Sequence, residues 1–116
     1  MGIIIRQTKP EDFNQIAGLL GEAEINLSSF TEERFRRMLE RCGEYCFVAE
    51  YKGKIIGNVF GVTDGTFIGY IRRLAVTEGY RGHGVGKKLV KAVFERFDES
   101  NIPLIFAHVK KQMSLL

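Results

Sequence analysis

A glycine-rich, basic segment holds the residues whose types and spacing could do chemistry. Residues 81–88 have the sequence RGHGVGKK, and they follow an apolar run that ends in Leu-Ala-Val. Glycines permit positive φ angles and let a ligand approach the backbone closely. A helix that begins in this segment would direct unpaired N–H groups at an anion. A bound anion would also offset the cost of placing Lys87 and Lys88 near the positive end of the helix dipole. The segment therefore predicts a phosphate-binding turn.

The distribution of charge also indicates a local anionic ligand. The chain has a net charge of +3, yet residues 1–71 carry 8 basic and 10 acidic side chains, whereas residues 72–96 carry 7 basic and 2 acidic ones. Such an island of positive charge favours an anionic partner. A solvated helix face would explain Lys88, Lys91 and Arg96, but it would not explain the glycines beside them.

Two common phosphate motifs do not fit the segment. The P-loop pattern G-x-x-x-x-G-K-[ST] fails because Arg81 stands at its first glycine and Lys88 at its Ser/Thr position. The dinucleotide pattern G-x-G-x-x-G fails at its third glycine, which is Lys87, and it is expected after a first strand. The pattern that fits is R-x-x-G-x-G, over residues 81–86.

The elements that must position this turn can be predicted from hydrophobic periodicity and turn residues. Helices are expected after Lys9-Pro10, after Thr31 and from near Gly84. The expected strands are Ile3–Gln7, Tyr45–Tyr51, Lys54–Val62, Phe67–Val76 and Leu104–Val109. The order is β-α-α-β-β-β-α-β, and a helix between the last two strands makes them parallel. We therefore expect one domain over residues 1–116. Its fold class is α/β, with α+β character: a mixed, mostly antiparallel sheet with helices on both faces.

Composition excludes several classes of protein. No apolar run approaches the length of about 18 residues that a membrane span needs, and the first residues do not form a secretory signal. Cys42 and Cys46 give neither a disulfide framework nor a metal-ligand set, so we expect reduced thiols, no metal and a cytoplasmic protein. Nucleic-acid binding is disfavoured because Phe94 and Phe97 fall on the apolar face of their helix, which leaves no exposed platform for bases.

These features together resemble the GNAT superfamily of N-acetyltransferases. The resemblance covers Ile3 to about Val109 and includes the element order, the strand that ends in Leu-Ala-Val and the sequence RGHGVGKKL. It also includes Phe47-Val48-Ala49-Glu50, a Gly-Lys hairpin and Ile-Gly, as in small prokaryotic members.

The resemblance implies that acetyl-CoA is the co-substrate. In this family the fourth strand pairs with the pantetheine arm, a role that falls to the backbones of Leu74, Ala75 and Val76. A backbone N–H there would stabilise the oxyanion, and transfer to the amine would be direct. The turn would bind the pyrophosphate through Arg81, Gly82, His83, Gly84, Val85, Gly86 and Lys87.

Acid–base and acceptor residues are harder to assign. The family often places a carboxylate on the fourth strand, where this chain has Arg72 and Arg73. His108 on the fifth strand is a candidate catalytic base, although a packed core histidine is the simpler interpretation. Tyr70 is most simply a packing aromatic.

Several residues could contact the acceptor. Arg73, or its neighbour Arg72, could bind an acidic group on it. Strand alternation would place Arg73 on one face with Ile71 and Ala75, and Arg72 on the other, paired with Glu50 or solvated. Glu22 and Glu24, between the first helices, could bind an ammonium group, or they could be solvated loop acids.

The end of the chain departs from the family pattern. Members continue past the fifth strand with an Asn-containing turn, a helix that carries a Tyr, and a hairpin, whereas residues 110–116 are KKQMSLL. We expect the C-terminal helix and strands to be missing, and a homodimer to cover the exposed edge of the fifth strand. A piece of a longer chain is the other interpretation.

The function would be acetyl transfer to the amine of a small molecule or a peptide; the alternative is a non-catalytic acyl-CoA-binding module.

Overall fold

The structure is a computed structural model, and it describes residues 2–25 and 27–107. Its elements are β1 (Ile4–Gln7), α1 (Phe13–Glu22), α2 (Glu32–Cys42), β2 (Phe47–Tyr51), β3 (Lys54–Thr63), β4 (Ile68–Val76), α3 (Val85–Glu99) and β5 (Leu104–Ala107). Short 3-10 turns lie before α1 and after α2. The predicted order of elements is confirmed.

The five strands form a single sheet in the order β1-β2-β3-β4-β5. The first four pair antiparallel, and β5 pairs parallel to β4, with Tyr70 opposite Phe106. A helical crossover is what a parallel pair requires, and α3 provides it. The expected mixed, mostly antiparallel sheet is confirmed.

Helices cover both faces of the sheet. Val85, Leu89 and Phe97 of α3 pack on one face, and Ile16 of α1 and Phe35 of α2 pack on the other. Helix α2 begins as its sequence predicts, because the Thr31 hydroxyl accepts a hydrogen bond from the Arg34 N–H at 3.2 Å.

A strand glycine permits the close contact between α3 and the sheet. A Cβ at Gly69 would lie 2.7 Å from the Phe97 ring, so only glycine admits the helix at this distance.

Phe97 is fully buried, but Phe94 is 44% exposed. The expectation that both rings lie on the buried face is therefore wrong for Phe94, which falls at the margin of the apolar stripe.

No helix within the described ranges is long and apolar enough to cross a membrane. The same residues hold no cluster of three or more His, Cys, Asp or Glu side chains that could bind a metal ion.

Candidate functional site

Strand β4 contains a bulge directly before the glycine-rich turn. Asn58 of β3 lies opposite Ala75, but the next registered pair is Phe60 with Arg72. Two residues of β4, Arg73 and Leu74, therefore stand where β3 has one. Arg73 has a φ of 55°, in the left-handed region that residues with a Cβ rarely adopt. A bulge of this kind interrupts the ladder and leaves backbone groups unpaired.

The extra residue reverses the alternation of side chains along β4. Ile71 and Leu74, three positions apart, both pack in the core beneath α3, whereas Ala75 packs with α1 and α2. The expectation that Ile71, Arg73 and Ala75 share a face is therefore wrong, because it assumed an unbroken period of two.

Asn58 holds the bulge from the neighbouring strand. Its side chain is fully buried, and its Nδ2 donates a hydrogen bond to the Arg73 carbonyl at 3.1 Å. Its Oδ1 has no partner among the described residues. Sequence reasoning missed Asn58. It is the one amide in an otherwise apolar predicted strand. Because a buried polar group must find a partner, this position could have been predicted to hold a specific contact.

Among the described residues, no strand pairs with the outer edge of β4 beyond Ile71. Strand β5 pairs with β4 only as far as Ile71 and Ala107. In residues 2–25 and 27–107 no strand pairs with that edge over residues 72–76. This stretch includes Leu74, Ala75 and Val76, which the resemblance assigns to cofactor binding.

The glycine-rich turn leads from this edge into α3. Gly79, Gly82 and Gly84 have φ angles of 95°, 83° and 78°, so each occupies a conformation that favours glycine. Gly84 is the N-cap residue of α3, and no side chain caps the helix there. A Cβ at Gly82, Gly84 or Gly86 would meet no atom within 4 Å. The start of α3 therefore has no side-chain cap and has open space beside its glycines, which is compatible with a bound anion.

Basic side chains surround this turn. Arg81 is exposed, and its Nε donates to the Val76 carbonyl at 2.8 Å, which ties the turn to the end of β4. His83, Lys87 and Lys88 are exposed near the start of α3. The structure thus gathers positive charge where the sequence predicted it.

The two loop glutamates differ in position. Glu22 ends α1, and its Oε1 accepts a hydrogen bond from the Glu78 N–H at 2.9 Å. It therefore braces the turn, and its assignment to the acceptor stays a prediction. Glu24 is exposed in the α1–α2 loop with a φ of 59°; its assignment to the acceptor stays a prediction.

A groove of about 420 Å³ lies where β4 and β5 meet. Tyr70, Arg72, Phe106 and Ala107 line it. The rings of Tyr70 and Phe106 stack with centroids 5.6 Å apart, and they are 43% and 50% exposed. Tyr70 is therefore a groove residue rather than a packing aromatic of the core.

Of the two adjacent arginines, Arg72 lines the groove and Arg73 does not. Of the two alternatives for Arg72, the structure fits the solvated side chain: Arg72 is exposed, and Glu50 accepts from Arg6 at 3.0 Å. His108 lies outside the described residues, so its catalytic role stays a prediction.

The comparisons with known proteins identify the family. The model of the acetyltransferase (GNAT) family matches residues 12–114, which is most of the chain. The chain belongs to the GNAT family of acetyltransferases.

Individual relatives differ in what they acetylate. An N-alpha-acetyltransferase MAK3 of Arabidopsis thaliana is 38% identical over 60 residues, which are 49% of this chain and 32% of that protein. The chain thus spans about a third of that relative. The structure of Ard1 from Thermoplasma volcanium superposes with a TM-score of 0.76 at 23% identity, covering 97% of this chain and 74% of that one. Glucosamine-6-phosphate N-acetyltransferase from Arabidopsis thaliana gives 0.71 at 24%, covering 97% and 85%. These two structures show the fold alone.

Proposed function

We propose that the chain binds acetyl-CoA and transfers the acetyl group directly to a primary amine. The observation that carries the proposal is the bulge of β4, followed by a strand edge with which no described strand pairs and then by a helix start without a side-chain cap. The pantetheine arm would form hydrogen bonds with the strand edge at the backbones of Leu74, Ala75 and Val76. The pyrophosphate would bind the turn through Arg81, Gly82, His83, Gly84, Val85, Gly86 and Lys87.

The chemistry follows from this placement. The neutral amine attacks the thioester carbonyl carbon, forming a C–N bond and a tetrahedral oxyanion. Backbone N–H groups freed by the bulge stabilise that negative oxygen. The C–S bond then breaks, the thiolate of CoA takes up a proton, and the amine nitrogen loses one. Positioning of the two reactants supplies much of the acceleration. No covalent enzyme intermediate is required.

The acceptor is proposed to be the amine of a peptide N-terminus or a small molecule. The relative described as an N-alpha-acetyltransferase supports the first class. A cytoplasmic location stays a prediction.

Binding can be tested by thermal stabilisation with acetyl-CoA, using ATP as the comparison. A ligand at 100 times its Kd stabilises the native state by about 2.7 kcal/mol, a clear rise in Tm. We expect Gly84→Val to abolish the rise, because a side chain there would block the approach of the pyrophosphate to the backbone.

A matched control is available for that variant. Gly65 in the β3–β4 turn has a φ of 85°, and a Cβ there also meets no atom within 4 Å. Gly65→Val therefore imposes similar backbone strain away from the site, and we expect it to keep the acetyl-CoA shift. An unshifted wild-type Tm at millimolar acetyl-CoA would refute the proposed cofactor site.

Turnover separates an enzyme from a non-catalytic acyl-CoA-binding module. Free thiol release from acetyl-CoA with a panel of amines is expected for the enzyme. Binding without release for every amine would instead identify the module.

A homodimer through the β5 edge also stays a prediction. Support comes from Leu104 and Phe106, which are 57% and 50% exposed, on a strand with one described neighbour. Light scattering after size exclusion should give twice the chain mass, and a monomer at all concentrations would contradict it.

A further inference from the structure

Arg72 is a cation without a partner in the described part of the chain. It is exposed on β4, and its side chain makes neither an ion pair nor a hydrogen bond with any described residue. Some other arginines have partners: Arg6 contacts Asp12, Arg37 contacts Glu33, and Arg81 contacts a carbonyl. Glu50, one possible partner of Arg72, accepts a hydrogen bond from Arg6 instead. The charge of Arg72 is thus available to a ligand in the groove.

The other described residues that line the groove are mostly apolar, and none of them carries a negative charge. Besides Arg72, its lining is the stacked pair of Tyr70 and Phe106 together with Ala107. Clefts that combine apolar walls with one placed charge select ligands of complementary charge. A guanidinium binds a carboxylate through two parallel hydrogen bonds, which give both strength and orientation.

The position of Arg72 connects this charge to the reaction. Arg72 directly precedes Arg73, the bulge residue, and consecutive Cα atoms are about 3.8 Å apart. A carboxylate held by Arg72 would therefore lie within one side chain's length of the bulge, beside which the thioester carbonyl is proposed to bind. An amine only a few bonds from that carboxylate could reach the thioester.

We infer that the groove selects acceptors in which a primary amine and a carboxylate lie a few bonds apart. The inference rests on the proposed function and names its acceptor class. Two kinds of acceptor have a primary amine and a carboxylate so placed: a peptide with an acidic first residue, and a free amino acid.

The experiment measures kcat/KM by thiol release for matched acceptors. One arm compares peptides that begin with Asp, Asn or Lys and are otherwise identical. The other arm compares free glycine with glycinamide, which lacks the carboxylate. We expect the carboxylate-bearing member of at least one arm to be favoured about tenfold, which corresponds to 1.4 kcal/mol. The arm that shows the preference identifies the source.

Variants assign the preference to Arg72. Arg72→Gln should reduce the ratio to near unity, Arg72→Lys should retain part of it, and Arg72→Glu should favour the peptide that begins with Lys. Arg41 of α2 is also exposed and unpaired with any described residue, so Arg41→Gln makes the same change in net charge and should leave the ratio unchanged. An unaltered Tm would show that each variant folds.

Three results would overturn the inference, and they are distinguishable. Equal rates in both arms, or a preference that survives Arg72→Gln, would refute it while leaving the transferase activity in place. A change in oligomeric mass with Arg72→Glu, without a change in the ratio, would show that the groove contacts a second copy instead. No thiol release with any amine and no thermal shift with acetyl-CoA would refute the proposed function, and the inference with it.

Discussion

Arg73 occupies a backbone conformation that is costly for its residue type. A left-handed φ costs a residue other than glycine about 1–2 kcal/mol, and such strain persists only where the surroundings hold it. The hydrogen bond from the buried Asn58 amide to the Arg73 carbonyl is the contact that fixes it. The sequence shows a polar residue in an apolar strand, but it does not show which carbonyl the amide meets, because that depends on the register of two strands.

Replacing Asn58 should therefore disturb both stability and activity. Asn58→Leu removes the donor and leaves a buried carbonyl unpaired, a change expected to lower the free energy of unfolding by about 1–3 kcal/mol. It should also lower kcat by releasing the bulge. Urea unfolding and thiol release measure the two effects.

Asn58→Asp provides the companion test. It keeps the shape but buries a carboxyl group, which favours the protonated form in the folded state. Its stability should then fall as pH rises above the ordinary carboxyl range. Equal stability of Asn58→Asp and wild type at pH 7 would contradict the proposed role of the amide.

The Tyr70 hydroxyl is the second group to test at this scale. It is the one hydroxyl among the four groove-lining side chains, and the departing thiolate needs a proton. Tyr70→Phe keeps the stacked ring but removes this group, so we expect kcat to fall by about 10²-fold, the lower range for general acid–base catalysis. The thermal shift with acetyl-CoA should be unchanged. A kcat within about twofold of wild type would exclude the hydroxyl from proton transfer.

At the scale of elements, periodicity and capping predict most of the fold, and the exceptions have physical causes. Helix α2 begins after Thr31 and α3 after Gly84, because caps and glycines act locally. The bulge in β4 could not be predicted, since its extra residue is defined only against β3. The prediction for Phe94 is wrong because a helical stripe has no sharp edge in sequence, and packing decides its width.

The contact of α3 with β4 gives a prediction about packing. Gly69→Ala would place a methyl group 2.7 Å from the Phe97 ring, and overpacking of this kind costs about 1–3 kcal/mol.

A Cβ at Gly18, in the middle of α1, would meet no atom within 4 Å. Gly18→Ala should therefore stabilise the protein by about 0.5–1 kcal/mol through helix propensity. Thermal unfolding of both variants should give shifts of opposite sign, and a neutral Gly69→Ala would show that α3 moves freely on the sheet.

At the scale of the whole molecule, side-chain hydrogen bonds and ion pairs connect elements that are far apart in the sequence. Glu22 of α1 accepts from the backbone of the glycine-rich turn, and Arg6 of β1 contacts both Asp12 and Glu50. The order of elements could be predicted, but these bonds could not, since many acids and bases of the chain are equally suitable partners in sequence. The family resemblance predicts the residues of the proposed acetyl-CoA site, whereas the groove could not be predicted, because it depends on how β4 and β5 pair.

The Arg6 cluster makes stability depend on pH in a definite direction. Burial alone would raise the pKa of Asp12, but hydrogen bonds from Arg6 and from the Lys9 N–H, at 2.9 and 2.8 Å, outweigh it. The pKa of Asp12 in the native state therefore lies below its ordinary value of 3.8. The unfolded chain then binds more protons near that pH, so this contribution is present above pH 3.8 and is lost as pH falls through the lower native pKa.

Asp12→Asn should remove this contribution. We expect its free energy of unfolding at pH 7 to be lower by about 1–3 kcal/mol, the range for loss of a hydrogen-bonded charged group, and the difference from wild type to shrink below pH 3.8. Urea unfolding between about pH 2 and 7 measures both. Asp98→Asn, at an exposed position near the end of α3, is the control and should follow the wild-type curve. A constant difference between Asp12→Asn and wild type across this range would mean that Asp12 acts through its shape and not through its charge.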